Sequence, residues 1–408
     1  MSTITISENK IKNSSEFLKW YVKNRKEKIE FKGKSEEINK MKYLFKFLKF
    51  HEKIKEKCET KMNNYNSLLL NEENEFIKEA MENFTSSNRG GKYIRSSLCA
   101  LGYKSFGKED DKYIPLSTAL EIFQTSILIH DDIIDNSKTR RGMDTIPVKY
   151  KKIYSSPIKT NKTYEKKLEN LSNSLALCIG DMGFYLANQI MTKNYRDNKN
   201  LAKLLEYYNE TAIKTCKGEM IDIALPFYEE FYGKEDLENQ IIEIYKLKTS
   251  WYSVVGPYVM GAILSGVEDE KIEKLEDALM NLGIAFQIKD DILGIYGDEK
   301  KLGKSVHSDC EEYKQTVLYS YAVNTKYKEE LQKLYGKENL KPKEFKKIQD
   351  IFIDSGAKKY SEQLMDRLFK ESFSLILSLD FIKEKYKEIL IGFAEYLKVR
   401  CKWKRYYV

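Results

Sequence analysis

The sequence predicts an all-α protein, and two observations carry that prediction. Its 408 residues include only 6 Pro and 20 Gly, with 42% hydrophobic and 32% charged residues, a composition typical of globular proteins built from long helices. Apolar residues also recur with a helical period, for example from Leu44 to Ile54. Length alone does not decide between one domain and two.

Charge and cysteine usage narrow the class of protein. The net charge of +8 is spread from end to end, which indicates a solvated surface with a mild attraction for anions and does not indicate a nucleic-acid-binding stripe. The six cysteines lack paired spacing, which favours free thiols in a reducing compartment. The N-terminus does not resemble a secretory signal. The most membrane-like window, Trp251 to Val267, is short and interrupted, so we expect a cytoplasmic protein without an integral membrane segment.

The chain divides into a polar extension, residues 1–40 with one short helix, and a helical domain, residues 41–408. The segment from Ser86 to Gly91 separates two helices. Residues 143–170 are rich in lysine and contain two prolines, and we expect them to form an irregular surface insertion. Further helices are predicted over residues 116–134, 201–225 (ending at Pro226), 237–265 (with a kink at Pro257) and 273–294.

An acidic motif ends the helix predicted over residues 116–134. On a helix, Gln124, Asp131 and Asp135 share one face, and Asp132 lies beside them. Three carboxylates so close repel one another unless a cation such as Mg²⁺ compensates them. An isolated motif of this kind is more often a solvated acidic turn. The following arginines, 140 and 141, can clamp a phosphate and favour the metal–diphosphate interpretation.

A second acidic motif, Gln287 followed by Asp290 and Asp291, lies far away in sequence. Two such helices facing each other across a bundle can hold several Mg²⁺ ions around one diphosphate. The pair of motifs is much more specific than either one alone.

From about Met41 onward the chain resembles the trans-isoprenyl diphosphate synthases, the farnesyl and geranylgeranyl diphosphate synthase family. The motifs occur in the family's order: GGKYIR, DDIID followed by RRG, GD, GEMID, KTS, FQIKDD, GK and K-x-T. The resemblance implies an isoprenoid synthase-type bundle of long helices around a deep central cavity, usually in a homodimer. It also implies three Mg²⁺ ions per active site and condensation of isopentenyl diphosphate with an allylic diphosphate.

The resemblance assigns roles by position. It implies these sets: Mg²⁺ ligands Asp131, Asp135 and Asp290, with Asp132 and Asp291 nearby; allylic diphosphate ligands Arg140, Lys248 and Lys304; isopentenyl diphosphate ligands Lys92, Arg95, Gln124 and Arg141; and groups that stabilise the carbocation, Thr249, Gln287 and the Lys248 carbonyl. Read alone, Lys248 and Thr249 would be a cation on a helix surface beside a hydroxyl bonded to the backbone, and Gln287 would be a polar core residue. The GD and GEMID motifs are expected only to pack helices or orient other side chains, and His130 and His307 have no predicted partner.

Two features depart from the family pattern or bear on the product. Gly294 replaces the third aspartate of the second motif, and a water molecule is expected to substitute for it. The chain-length positions are Ser126 and Ile127, where farnesyl synthases of eukaryotes carry bulky aromatics. If Ser126 points down the cavity, it leaves space for a product of twenty carbons or more.

Three alternatives remain open at this stage: a farnesyl diphosphate synthase stopping at fifteen carbons, a class I terpene cyclase, and a non-catalytic subunit of a prenyl synthase. The cyclase would need no isopentenyl site, so Lys92, Arg95 and Arg141 argue against it. A non-catalytic subunit is expected to carry a degenerate first motif, and this one is intact.

Overall fold

The computed structural model describes residues 3–7, 10–156, 161–228, 237–297 and 307–399. Long helices dominate these residues, which confirms the predicted all-α class. Helices α1 to α6 are α1 (Ser14–Asn24), α2 (Glu36–Leu69), α3 (Glu75–Ser87), α4 (Ile94–Ser105), α5 (Ile114–Ile134) and α6 (Ile146–Ile153). Helices α7 to α11 are α7 (Lys162–Asn194), α8 (Leu201–Tyr228), α9 (Leu237–Ile244), α10 (Gly256–Ser265) and α11 (Asp269–Tyr296), with a π-helix (Tyr245–Val255) between α9 and α10.

The remaining elements are short helices, a last pair of long helices and four short strands. The helices are α12 (Ser308–Glu311), α13 (Val317–Val323), α14 (Lys328–Gln332), α15 (Pro342–Asp354), α16 (Ala357–Ser378) and α17 (Glu384–Val399). The strands are β1 (Thr3–Ile6), β2 (Lys28–Phe31), β3 (Thr139–Arg140) and β4 (Met143–Asp144).

The polar N-terminal extension folds as a small β–α–β unit. Strands β1 and β2 pair in parallel, with Thr3 opposite Lys28, and α1 connects them. The side chains of Phe17 and Tyr21 are buried and their rings contact Phe45 on α2. The one short helix predicted here is therefore present, and its aromatic face attaches the extension to the main body.

Paired helices form the core. Helix α5 packs along α7, α4 along α10, α11 along α16, and α2 along α17. Every residue of α10 from Gly256 to Leu264 is buried, as expected for the apolar window that we assigned to the core. Within the described residues, no helix is both long enough and apolar enough to cross a membrane.

Three details of the predicted elements were wrong. Part of the segment 143–170, expected to be irregular, forms α6 and the start of α7, because Pro147 lies in the first turn of α6, where proline is tolerated. Helix α8 continues past Pro226 to Tyr228. The segment from Leu237 to Ser265 is not one kinked helix, since the π-helix separates α9 from α10 and Pro257 lies in the first turn of α10.

Candidate active site

Two acidic motifs form opposite sides of the site and are called its acidic walls. The first, with Asp131, Asp132 and Asp135, lies at the C-terminal end of α5, and the second, with Asp290 and Asp291, lies on α11. Helix α5 ends at Ile134, and Asp135 caps it by donating its backbone N–H to the Asp131 carbonyl at 2.9 Å. The side chain of Asp132 is buried, whereas Asp131 and Asp135 are only partly buried. As predicted, Asp131 and Asp135 share a helix face one turn apart.

A tight hairpin brings Arg140 onto this wall. Strands β3 and β4 pair in antiparallel fashion around Arg141 and Gly142, which both have positive φ, as the two-residue turns of hairpins require. Arg140 donates from Nε to Asp132 Oδ1 at 2.7 Å and from Nη2 to Asp131 Oδ2 at 2.6 Å. Burial opposes charge on this guanidinium, but the two aspartates outweigh it and raise the pKa of Arg140. The arginine therefore remains a cation at the acidic motif.

The π-helix delivers a second cation, Lys248. Its ammonium lies 2.6 Å from Asp222 Oδ2, 2.9 Å from Glu219 Oε2 and 3.8 Å from Asp131 Oδ1. Gly218 allows this approach, because a Cβ at that position would overlap the Lys248 backbone nitrogen. Wide π-helical turns are frequent at functional sites.

A chain of hydrogen bonds connects the π-helix to the second acidic motif on α11. Thr249 Oγ1 donates to Gln287 Oε1 at 2.8 Å, and Gln287 Nε2 donates to Asp291 Oδ1 at 2.8 Å. The other Asp291 oxygen accepts from the Tyr245 hydroxyl, which in turn accepts from the Val317 backbone N–H at 3.2 Å. Both oxygens of Asp291 are thus already bonded to protein groups, which suits an orienting role better than direct contact with a metal.

Three carboxylates of the site have raised pKa values. Burial, followed by the charge of Asp131, raises the pKa of Asp135 to about 7. Burial likewise raises the pKa of Asp132 and of Asp291 to about 6. Such shifts show that burial opposes the ionisation of these three carboxylates more strongly than the neighbouring cations favour it.

Lys314 interacts electrostatically with both acidic motifs. Burial opposes its charge, but Asp309, Asp291, Asp222 and Asp135 together keep the pKa of this lysine well above its usual range. Because Asp135 belongs to the first motif and Asp291 to the second, the common interaction with Lys314 shows that both walls face one interior space.

The donor set fits Mg²⁺. All the acidic groups offer oxygen, the ligand that Mg²⁺ prefers, and a bound cation would favour the charged forms of Asp132 and Asp135, whose pKa values burial raises. Within the described residues, no three His, Cys, Asp or Glu side chains converge as a ready-made cage. That arrangement agrees with the usual mode of Mg²⁺, which takes one or two carboxylates and completes its shell with substrate phosphate and water.

Three of the four residues assigned to the isopentenyl site, Lys92, Arg95 and Arg141, lie at or contact the loop between α3 and α4. Arg141 Nη1 donates to the carbonyls of Ser87 and Arg89 at 3.0 and 2.9 Å, so it holds this loop directly. Arg95 is buried, stacks over the Tyr252 ring at 4.3 Å and donates from Nη2 to Ser253 Oγ at 2.5 Å. Its Nε has no hydrogen-bond partner among the described residues. A buried guanidinium with a spare donor suits an anionic ligand.

The other assigned residues are placed as follows. Lys92 is exposed at the start of α4, Gln124 is partly buried on α5 one turn before Ile127 and Leu128, and Asp290 is partly buried on α11. Lys304 and the basic C-terminal tail lie outside the described residues. The five described cysteines, at positions 58, 99, 178, 216 and 310, are free thiols, as expected.

The two chain-length positions have different surroundings. Ile127 is partly buried and lies one helical turn before Asp131, on the same face. Ser126 is completely buried where α5 crosses α7: a Cβ at Gly183 would overlap the Ser126 Oγ and lie 2.7 Å from the Phe84 ring. Ser126 therefore packs between helices and does not open directly into a free space, contrary to our expectation for its side chain.

Sequence reasoning missed several residues of the site. Glu219 and Asp222 were expected only to pack helices or orient other side chains, and both contact Lys248, the side chain that they orient. Lys314 and Tyr245 carried no assignment. His130 had no predicted partner; in the structure its Nε2 lies 3.3 Å from Asp181 Oδ1 and its ring contacts Phe184. The three-residue spacing of Glu219 and Asp222 was the available signal, because it places both on one helix face.

Comparison with known proteins agrees with this geometry. The polyprenyl synthetase family model matches residues 74–352. The chain is 30% identical over 270 residues to a geranylgeranyl diphosphate synthase of Sulfolobus acidocaldarius, covering 62% of this chain and 72% of that protein. It is 27% identical over 318 residues to a geranylfarnesyl diphosphate synthase of Aeropyrum pernix, covering 77% and 91%.

A solved structure shares the fold. It is the geranylgeranyl pyrophosphate synthase of Corynebacterium glutamicum, complexed with isoprenyl diphosphate and magnesium, which superposes with a TM-score of 0.74 at 22% identity and covers 85% of this chain and 98% of that one. Matched motifs, matched helices and a family match across most of the sequence lead to one conclusion. The chain belongs to the polyprenyl synthetase family, the trans-isoprenyl diphosphate synthases.

Proposed function

We propose that the protein condenses isopentenyl diphosphate head-to-tail with an allylic diphosphate, in a Mg²⁺-dependent reaction that yields a product of twenty carbons or more. The observation that supports this most is the position of Asp131, whose carboxylate lies between Arg140 and Lys248. Two partly buried cations and several carboxylates meet at one point, which is what a metal–diphosphate group requires.

Arg140 and Lys248 bind the allylic diphosphate group from opposite sides. Lys304 is a further proposed ligand of this diphosphate. Mg²⁺, when bound, neutralises charge on the leaving diphosphate. The allylic C–O bond then breaks, the diphosphate keeps the electron pair, and the double bond of isopentenyl diphosphate attacks the carbocation. Loss of one proton to the departing diphosphate restores a double bond.

The residues of this chain also stabilise the carbocation and hold the acceptor. Thr249 donates to Gln287 Oε1, so the hydroxyl oxygen keeps its lone pairs available and the amide is fixed in one orientation. Arg95, Lys92, Arg141 and Gln124 hold the diphosphate of isopentenyl diphosphate. Arg141 does so while it fastens the loop that carries Arg89.

We further propose a homodimer formed through the outer faces of α7 and α8. Tyr185 and Phe227 are 77% and 72% exposed, which is unusual for such large apolar side chains. Exposed residues recur every seven positions on each helix: Leu171, Cys178 and Tyr185 on α7, and Ile213, Met220 and Phe227 on α8. Sedimentation analysis of Tyr185→Glu/Phe227→Glu should give a monomer where the unmodified chain gives a dimer. A monomeric unmodified chain would contradict the proposal.

The function is tested with purified protein, labelled isopentenyl diphosphate and primers of five, ten and fifteen carbons, with and without Mg²⁺. We expect diphosphate release that requires both isopentenyl diphosphate and Mg²⁺, and elongation of the fifteen-carbon primer. Release without isopentenyl diphosphate would indicate a cyclase. No release would indicate a non-catalytic subunit, and a product that stops at fifteen carbons would indicate a farnesyl synthase. The free thiols suit the cytoplasm as the site of this reaction.

A further inference from the structure

The second acidic motif lacks one carboxylate, at Gly294. This glycine lies on α11 four residues after Asp290, so both positions share a face. It is buried. A side chain here would point toward the same interior space as Asp290.

A carboxylate from another helix fills that space. Asp309 lies on α12, and its side chain is buried with 5% of its surface exposed. A Cβ built on Gly294 would overlap the Asp309 Oδ2 atom and would lie 3.3 Å from its Cγ. The Asp309 carboxylate therefore stands where the side-chain atoms of residue 294 would be.

The charge of Asp309 acts on the same site. Asp309 is the principal group that keeps Lys314 protonated, and it also contributes to the raised pKa of Asp291. Its backbone carbonyl accepts from the Lys314 N–H at 3.0 Å, which fixes the two residues relative to each other. Asp309 thus faces the interior shared by the two acidic walls, and it is held there by its own main chain.

We propose that Asp309 supplies, from α12, the third carboxylate that the second acidic motif lacks at Gly294. This rests on the proposed function, since it concerns cation binding at the same site. It replaces our earlier expectation of a substituting water molecule. Glycine at position 294 then leaves the space that the Asp309 carboxylate occupies, because any larger residue there would expel this carboxylate.

The test is metal binding without turnover. Mn²⁺ binding to the full chain is measured by electron paramagnetic resonance, with inorganic diphosphate present. Asp309→Asn should weaken binding about tenfold or more, in the range seen when groups supporting a metal site are removed. Asp354→Asn, which neutralises an exposed carboxylate at the end of α15, should leave it unchanged. Unchanged binding by Asp309→Asn would overturn the proposal.

A double variant that moves the carboxylate from position 309 to position 294 controls for indirect effects of Asp309→Asn. Gly294→Asp alone should lower the melting temperature, because two carboxylates would compete for one space. Gly294→Asp/Asp309→Gly should restore Mn²⁺ binding to within about threefold of the unmodified chain, less than the effect of one lost supporting group. A folded double variant that binds no better than Asp309→Asn would contradict the proposal. If Asp309→Asn loses Mn²⁺ binding but the unmodified chain never elongates a primer, the function fails and this inference stands.

Discussion

Asp222 Oδ2 lies 2.6 Å from Lys248 Nζ, and this contact holds the lysine 3.8 Å away from Asp131. The distance matters because Asp131 is a proposed Mg²⁺ ligand. A lysine released from Asp222 would move toward Asp131 and compete with the metal for the same oxygen.

Asp222→Asn should therefore raise the Mg²⁺ concentration needed for half-maximal turnover by about tenfold, the lower range for loss of a supporting group. Excess Mg²⁺ should recover most of the rate. Asp269→Asn, which neutralises an exposed carboxylate paired with Lys203, serves as the control and should leave the Mg²⁺ requirement unchanged. An equal loss of rate at every Mg²⁺ concentration would contradict the competition argument.

Tyr245→Phe should slow turnover while leaving the KM for isopentenyl diphosphate nearly unchanged. The substitution removes the hydroxyl that bonds both Asp291 and the Val317 N–H, so Asp291, which accepts from Gln287, is held less firmly. The expected cost in free energy of unfolding is about 1–3 kcal/mol.

Tyr258→Phe is the matched control for this substitution. Tyr258 is equally buried and its hydroxyl bonds Ser105, away from the acidic walls. It should lose stability but keep its turnover number. Equal turnover in the two variants would show that Tyr245 does not position Asp291 for the reaction.

Metal binding should strengthen as the pH rises from 6 to 8. The pKa of Asp135 lies near 7, far above the ordinary 3.8, so part of the metal-free protein carries a proton that a cation must expel. The expected gain approaches about tenfold per pH unit below 7. Calorimetry in buffers of different ionisation enthalpy should detect the released proton, and Asp135→Asn should release less.

The same shift predicts how stability depends on pH. A carboxylate whose pKa is raised by folding binds more protons in the folded state, so its contribution to the free energy of unfolding falls as the pH rises from about 4 to about 7. Metal-free protein should melt at a lower temperature at pH 7.5 than at pH 6. Saturating Mg²⁺ should reduce the difference. A melting temperature that rises over this range without metal would contradict the assignment of Asp135.

Ile127→Phe should shorten the product, because Ile127 lies on the Asp131 face of α5 and a larger ring there reduces the space for a growing chain. Ser126→Phe should instead destabilise the fold by about 1–3 kcal/mol or more through overpacking against Gly183. Product chromatography and thermal melting separate the two outcomes. A stable Ser126→Phe variant with a shorter product would show that Ser126 lines the cavity that holds the growing chain.

The sequence was sufficient for the fold class and the two acidic motifs. These depend on helical periodicity and short spacings, which one helix expresses locally. The contact between Glu219 and Lys248 could not be read in this way, because it requires the glycine of α8 to bring two helices together.

The other differences between prediction and structure arise from contacts with elements that are distant in sequence. Ser126 looked like open space because small residues leave room, but α7 and Phe84 occupy that room. Pro147 looked like a helix breaker, yet it begins α6. The π-helix has no simple periodic signature, since its wider turn depends on packing between α8 and α11.

The N-terminal β–α–β unit has a consequence for synthesis of the chain. Helix α1 touches α2 and α17, and Lys46 of α2 pairs with Glu388 of α17. A ribosome releases α2 long before it has made α17. The face of α2 that carries Phe47 therefore stays uncovered until the last helix, with Phe393 and Tyr396, has been made. During that interval the exposed apolar surface is a binding site for chaperones.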